Sequence, residues 1–209
     1  MERGILSVII VFGIVLISMI LHELAHGLMA LFLGDETAKE EGRLTLNPLV
    51  HLDPFTSLVL PISLFLLGGP VFGGAKPVPI NTRNVKGGAA GMALVALAGP
   101  LINFLLAFMA FFLSTKISLH QSLMPIVSNF VMINLGFFVF NLLPIPPLDG
   151  SRVIYALAPD GVRNFMAEIE QRFGIWVVFG LVMVFGTVLS TIMSNSILAI
   201  LNFFTIICS

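Results

Sequence analysis

The feature that most constrains this chain is a polar interruption, Leu21-His22-Glu23-Leu24-Ala25-His26-Gly27, set in a run of Ile, Val, Leu, Phe and Met that extends from Ile5 to Leu33. Apolar sequence on both sides places the interruption inside a membrane-spanning helix. An ionisable side chain at that depth costs about 3 kcal/mol or more, so such residues are functional candidates by default. His22 and His26 are four apart and share one helical face about a turn apart, where two imidazoles can bind one metal ion. Glu23 lies beside that face, where a carboxylate can take a proton from a water polarised by the metal. This is the spacing used by His-Glu-x-x-His zinc hydrolases.

The rest of the chain supports a membrane setting. Of 209 residues, 57% are hydrophobic and only 10% charged, with a mean hydropathy of +1.06. These values predict an all-α polytopic membrane protein. We read residues 1–209 as a single integral membrane domain, with a core of residues 4–152 followed by a surface helix and hydrophobic arms over residues 160–209. A net charge of −1 offers no basic surface for nucleic acid. Cys208, the single cysteine, cannot form an internal disulfide. The first apolar run resumes after Gly27 and is too long for a signal-peptide core.

Gly34 to Asp53 is polar and marks a membrane exit. Within it, Arg43-Leu44-Thr45-Leu46 alternates polar and apolar, predicting a short strand after a turn at Glu41-Gly42. Phe55 to Phe72 is apolar but carries Pro61, Gly68, Gly69 and Pro70. Gly73 to Gly88 reads as an interfacial loop, extended where Pro77 and Pro79 flank Val78. Two spans follow, Ala89 to Leu113 and Leu123 to Leu143. Pro144, Pro146 and Pro147 then stop the helix and leave Asp149 at a membrane edge. Val162, Phe165, Met166, Ile169 and Phe173 recur at helical spacing opposite Arg163, Glu168, Glu170 and Arg172, as in a helix lying on the bilayer surface. Gly174 to Ile207 is apolar, and Ser190-Thr191 with Ser194-Asn195-Ser196 divides it into two arms. The second is marginal against a hydrocarbon core of about 30 Å.

A catalytic zinc site takes three protein ligands and keeps one position for water. Asp149 is the candidate third ligand to one Zn2+ per chain. The charges of 35–43 read as a solvated loop, His51 and His120 as loop residues, and Glu168 and Glu170 as facing solvent. If Asp149 meets His22 and His26, the C-terminal ends of the first span and of the 123–143 span share one membrane face. Residues 34–88 then begin and end on that face, so 55–72 is expected to be re-entrant or a tight pair rather than a single crossing. This arrangement puts Lys39, Arg43, Lys76, Arg83, Lys86, Arg152, Arg163 and Arg172 on the site side, against Arg3 and Lys116 opposite. Such an excess predicts a site opening toward the cytoplasm.

The motifs His22-Glu23-Leu24-Ala25-His26, Gly99-Pro100-Leu101-Ile102-Asn103 and Asn141 through Gly150, in that order, resemble those of the site-2 protease family of intramembrane zinc metalloproteases. The resemblance implies a three-helix catalytic core, zinc held by His22, His26 and Asp149, and Glu23 as catalytic base. It further implies that Asn141 and its neighbouring prolines position substrate, and that a membrane-associated strand after the first span guides it. Asn103 has two readings, substrate binding or a hydrogen bond across helices. Ser114 to Ser122 is too short to hold an inserted PDZ-like domain, so the chain reads as a short form. The expected activity is hydrolysis of peptide bonds in transmembrane or membrane-anchored proteins, in the cytoplasmic membrane of a prokaryote. The alternative is a membrane metal-binding or transport protein with the same ligands, but the chain shows neither inverted repeats nor a polar stripe along a whole span.

Overall fold

A computed structural model describes residues 2–53, 76–117 and 120–208. Its elements are α1 (Glu2–Phe32), α2 (Thr37–Glu40), α3 (Pro48–His51), α4 (Gly88–Lys116), a 3₁₀ turn (Gln121–Leu123), α5 (Met124–Asn141), α6 (Asp149–Leu157), α7 (Asp160–Phe173) and α8 (Ile175–Cys208). Ile5–Phe32, Gly88–Lys116, Gln121–Asn141 and Ile175–Cys208 are each long and apolar enough to cross a membrane. The chain is an all-α polytopic membrane protein.

α1 ends where Gly34 adopts φ 100°, which only glycine accepts readily. The Gly34 and Asp35 amides then bond back to the Leu31 and Ala30 carbonyls, satisfying groups that the helix end leaves unpaired. The returning chain meets this corner. The Lys86 amide donates to the Leu33 carbonyl at 2.9 Å, and Asp35 accepts from the Asn81 amide at 2.7 Å and from Asn84 Nδ2 at 3.3 Å. The start and finish of the 34–88 stretch therefore lie side by side, as the shared-face argument requires. The expected re-entrant segment, 55–72, falls outside the described residues.

Three expectations for this stretch are corrected. No strand forms at Arg43–Leu46, and none is present among the described residues. The backbone groups there bond locally instead of in a ladder: the Arg43 amide donates to the Ala38 carbonyl at 2.8 Å, and the Thr45 carbonyl accepts from His51 Nε2 at 2.8 Å. Arg43 and Asp35 are buried rather than solvated. The Arg43 guanidinium donates to the carbonyls of Lys76 and Pro77, and the Thr37 amide and hydroxyl also donate to Asp35. Burial pushes the Asp35 carboxyl up, but its four donors outweigh that and hold it below the usual carboxylate range. His51, read as a surface loop residue, is buried as well.

α8 is continuous through Ser190–Ser196, contrary to the expected division. Thr191 Oγ1 donates to the Thr187 carbonyl one turn back, so this hydroxyl is satisfied within its own helix and gives the backbone no reason to break. The departure from helical geometry falls earlier, at Phe185. Phe204 packs into Ala107, Val131 and Leu135 of α4 and α5, with Phe104, Phe108 and Phe111 around it. Lipid is as apolar as these side chains, so the contact is held by close packing rather than by escape from water. α7 forms as expected, and its Val162, Phe165 and Phe173 are exposed, uncovered by protein as in a helix that rests on lipid.

Candidate metal centre

α4 runs past both α1 and α5, and the centre forms where all three meet the start of α6. His22 and His26 project from α1 onto α4 at Gly99. A Cβ on Gly99 would sit 2.3 Å from His26 Nε2 and 2.6 Å from His22 Nε2, so only glycine leaves the two imidazoles their place. Asp149 arrives from the other side. The proline run after α5 turns the chain so that Asp149 is the first residue of α6. Gly150 lets that helix close on the end of α5, since a Cβ there would lie 2.2 Å from the Leu142 carbonyl oxygen.

Asp149 Oδ2 lies 3.1 Å from His22 Nε2 and 3.3 Å from His26 Nε2, and the two Nε2 atoms are 3.0 Å apart. Among the described residues, these form the one group of three or more His, Cys, Asp or Glu side chains placed to hold a metal ion. The far side of each ring meets an acceptor. His22 Nδ1 lies 2.6 Å from Asn103 Oδ1, and His26 Nδ1 lies 2.7 Å from the Val95 carbonyl oxygen. Each neutral imidazole therefore carries its proton on Nδ1 and turns a bare Nε2 lone pair inward. Two such lone pairs and a carboxylate repel one another at these distances unless a cation sits among them. A tetrahedral zinc with bonds near 2.0–2.1 Å separates its ligand atoms by about 3.3 Å, close to what is seen. The donor set fits.

Glu23 is half-buried next to this group, and its Oε2 accepts from the Val78 amide at 2.9 Å. Val78 belongs to the extended segment 76–80, which packs on α1 at Gly27, where a Cβ would meet Leu44 and Val78 side chains at 2.6 and 3.0 Å. Asn141 is half-buried at the end of α5, and its Nδ2 donates to the Phe137 carbonyl at 3.0 Å. Asn103 is fully buried. Its Nδ2 donates to Asn134 Oδ1 at 2.9 Å and to the Ser18 carbonyl at 3.4 Å, so of its two readings its contacts are those of the cross-helix one. The geometry adds Val95, Val78 and Asn134, which the sequence reading passed over. Asn134 carried a usable signal, a buried-type amide within an apolar span.

The sequence profile of peptidase family M50 matches residues 114–187, which includes Asp149 but not the histidines. A Bacillus subtilis protein provisionally named zinc metalloprotease YwhC is 43% identical over 167 residues, covering 75% of this chain and 72% of that protein. Proteins provisionally named zinc metalloprotease Rip2 are similar too. The one from Mycobacterium tuberculosis is 37% identical over 159 residues, and the one from Mycolicibacterium smegmatis 36% over 158. The matches cover 75% of this chain but 60% of each of those two proteins. No solved structure matches the chain at a significant level.

Proposed function

This chain belongs to peptidase family M50, the site-2 protease family, and on that premise we propose that it is an intramembrane zinc endopeptidase acting on transmembrane or membrane-anchored proteins. The observation that carries the reading is the convergence of His22 Nε2, His26 Nε2 and Asp149 Oδ2 within 3.0–3.3 Å, with both Nδ1 atoms held from behind. These three residues would hold one zinc ion. When bound, zinc supplies a water acidified toward neutrality and a Lewis acid for the peptide carbonyl.

The chain's own groups do the rest. Glu23 is the general base: its carboxylate takes a proton from the attacking water and returns it to the leaving amine. Asn141, at the end of α5, is placed to position the substrate backbone. A helical substrate hides its peptide bonds and has to be unwound before attack. An unwound stretch would lie along the extended segment Lys76–Ile80, which stands beside the base through the Val78 amide. Arg43 braces that segment through the Lys76 and Pro77 carbonyls. The weight of basic residues on the site side supports a centre facing the cytoplasm across the cell membrane.

The test is cleavage of a model transmembrane peptide by the purified protein, with zinc content measured in parallel. Glu23→Gln is expected to keep zinc and lose cleavage, whereas Asp149→Ala loses both. Undiminished cleavage by Glu23→Gln rejects the assignment. Reporters at Thr82 and Asn164 are expected on the cytoplasmic face, and finding them on opposite faces rejects the topology.

A further inference from the structure

Behind His22 lies a chain of buried amides that the reaction does not use. Asn103 bridges His22 to Asn134, and Asn134 Nδ2 donates both to Ser18 Oγ at 3.0 Å and to the Phe130 carbonyl at 2.9 Å. Ser18, Asn103 and Asn134 are each fully buried, so no water substitutes for these partners.

The chain has a direction, and its direction is set at its far end. A carbonyl can only accept, so Phe130 fixes the NH₂ of Asn134 on its own side. The Oδ1 of Asn134 then faces Asn103, which has to answer with its NH₂. That turns the Asn103 oxygen toward His22, whose Nδ1 has to carry the proton. Nε2 is left as a lone pair pointing at His26 and Asp149. Reversing either amide would set donor against donor or acceptor against acceptor in a site with no water to compensate.

We infer that Asn134 is a positioning residue for the metal centre: acting through Asn103, it selects the His22 tautomer that presents a bare Nε2 to the ion. The inference rests on the zinc reading above. It assigns α5 a part in the centre separate from carrying the chain toward Asp149.

The experiment measures zinc affinity of the full-length protein in detergent by competition with a chromophoric chelator, with helicity by circular dichroism as the folding control. Asn134→Leu leaves the Asn103 amide held only by its long 3.4 Å bond to the Ser18 carbonyl, and affinity is expected to fall about 10-fold, the lower end of the range for lost partners of metal-bound histidines. Adding Asn103→Asp places an acceptor toward His22 whichever way the side chain faces, so the double variant is expected to recover most of the loss. Because a carboxylate behind His22 strengthens zinc binding by its charge in any background, the reference is the single Asn103→Asp variant: the relay predicts that Asn134→Leu costs little in that background, whereas a role in packing alone predicts the same loss in both backgrounds. Should Asn134→Leu fail to fold, Asn134→Ser takes its place: its hydroxyl still bonds the Phe130 carbonyl but is too short to reach Asn103, and the same loss and rescue are expected. Unchanged affinity in the Asn134 variant, or an equal loss in the Asn103→Asp background, overturns the relay while leaving the centre intact. No zinc uptake by the wild-type protein, or uptake unaffected by His22→Ala, overturns the centre and the relay with it.

Discussion

The junction of α1, α4 and α5 and the C-terminal pair α7 and α8 are both drawn from apolar, membrane-type sequence, yet they are held in different ways. Along its length α4 buries Gly91, Ala93, Val95, Ala96, Gly99, Pro100, Asn103 and Ala107, and these mostly small residues let side chains from neighbouring helices interlock with it. In α7 no residue is buried, and α8 buries Val178, Phe204 and Cys208 out of 34. One region gains its order from polar bonds between helices, for which lipid offers no substitute. The other takes lipid as its packing partner. Tolerance to substitution should divide along the same line.

The severest break is at Gly99. Gly99→Ala puts a methyl group between the two imidazoles, and zinc content is expected to drop to background by elemental analysis while the helices remain; stoichiometric zinc in that variant would undo the geometry given for the centre. Gly150→Ala drives a carbon into the Leu142 carbonyl. Overpacking of this kind costs about 1–3 kcal/mol, to be read as a lowered thermal midpoint together with weaker zinc binding as Asp149 is displaced.

Asp35 comes next, at the edge of the junction. Asp35→Asn presents an NH₂ to a pocket of donors and is expected to cost about 1.5 kcal/mol, seen as faster amide exchange at Asn81 and Lys86. Because its folded carboxyl is depressed, its contribution is complete above the ordinary carboxyl pKa of about 3.9 and is lost as pH falls through the lower folded value. Protection of those amides, taken relative to their intrinsic exchange rates, should therefore fall in acid and be insensitive to pH near neutrality. The smallest effect belongs to α7. The Arg172–Glu168 pair is close at 2.6 Å, but its side chains are 68% and 54% exposed, and Arg172→Ala should cost no more than about 0.5 kcal/mol. A larger loss would mean that this pair holds α7 in place beyond the bonds that Arg163 donates to the Tyr155 and Ala156 carbonyls and that Glu170 accepts from Arg152.

The junction was the more legible of the two regions, in part. His22, His26 and Asp149 could be picked out because a four-residue spacing and a proline run each imply a geometry of their own. Asn134 signalled only its burial, as an amide in an apolar span; its role was not legible, since its partners lie 31 and 116 positions away at Asn103 and Ser18 and no local pattern connects them. Asp35, Arg43 and His51 misled for a related reason: polarity was taken for exposure, whereas these side chains satisfy the backbone of a corner folded over Glu23. The alternation at Arg43–Leu46 misled on both counts, since Arg43 is buried, Leu46 is exposed and no ladder forms. In α8 the serines and threonines suggested a break, yet hydroxyls that bond one turn back cost a helix little, and the bend fell at Phe185 instead.

The bend in α8 also bears on the bilayer in which the protein can sit. A straight helix of 34 residues measures about 51 Å against a hydrocarbon core of about 30 Å. Beyond Phe185, the stretch 186–208 alone measures about 34 Å and matches that core. Its far end is tethered, because Lys116 Nζ donates to the Cys208 carbonyl at 2.9 Å. The surplus must therefore be absorbed at the other end, where residues 175–184, with Trp176 exposed, adjoin α7 on the side of the metal centre. A thicker membrane draws that arm inward and a thinner one lays it flat. The bend at Phe185 thus lets the mismatch fall on the free arm and leaves the tethered end in place.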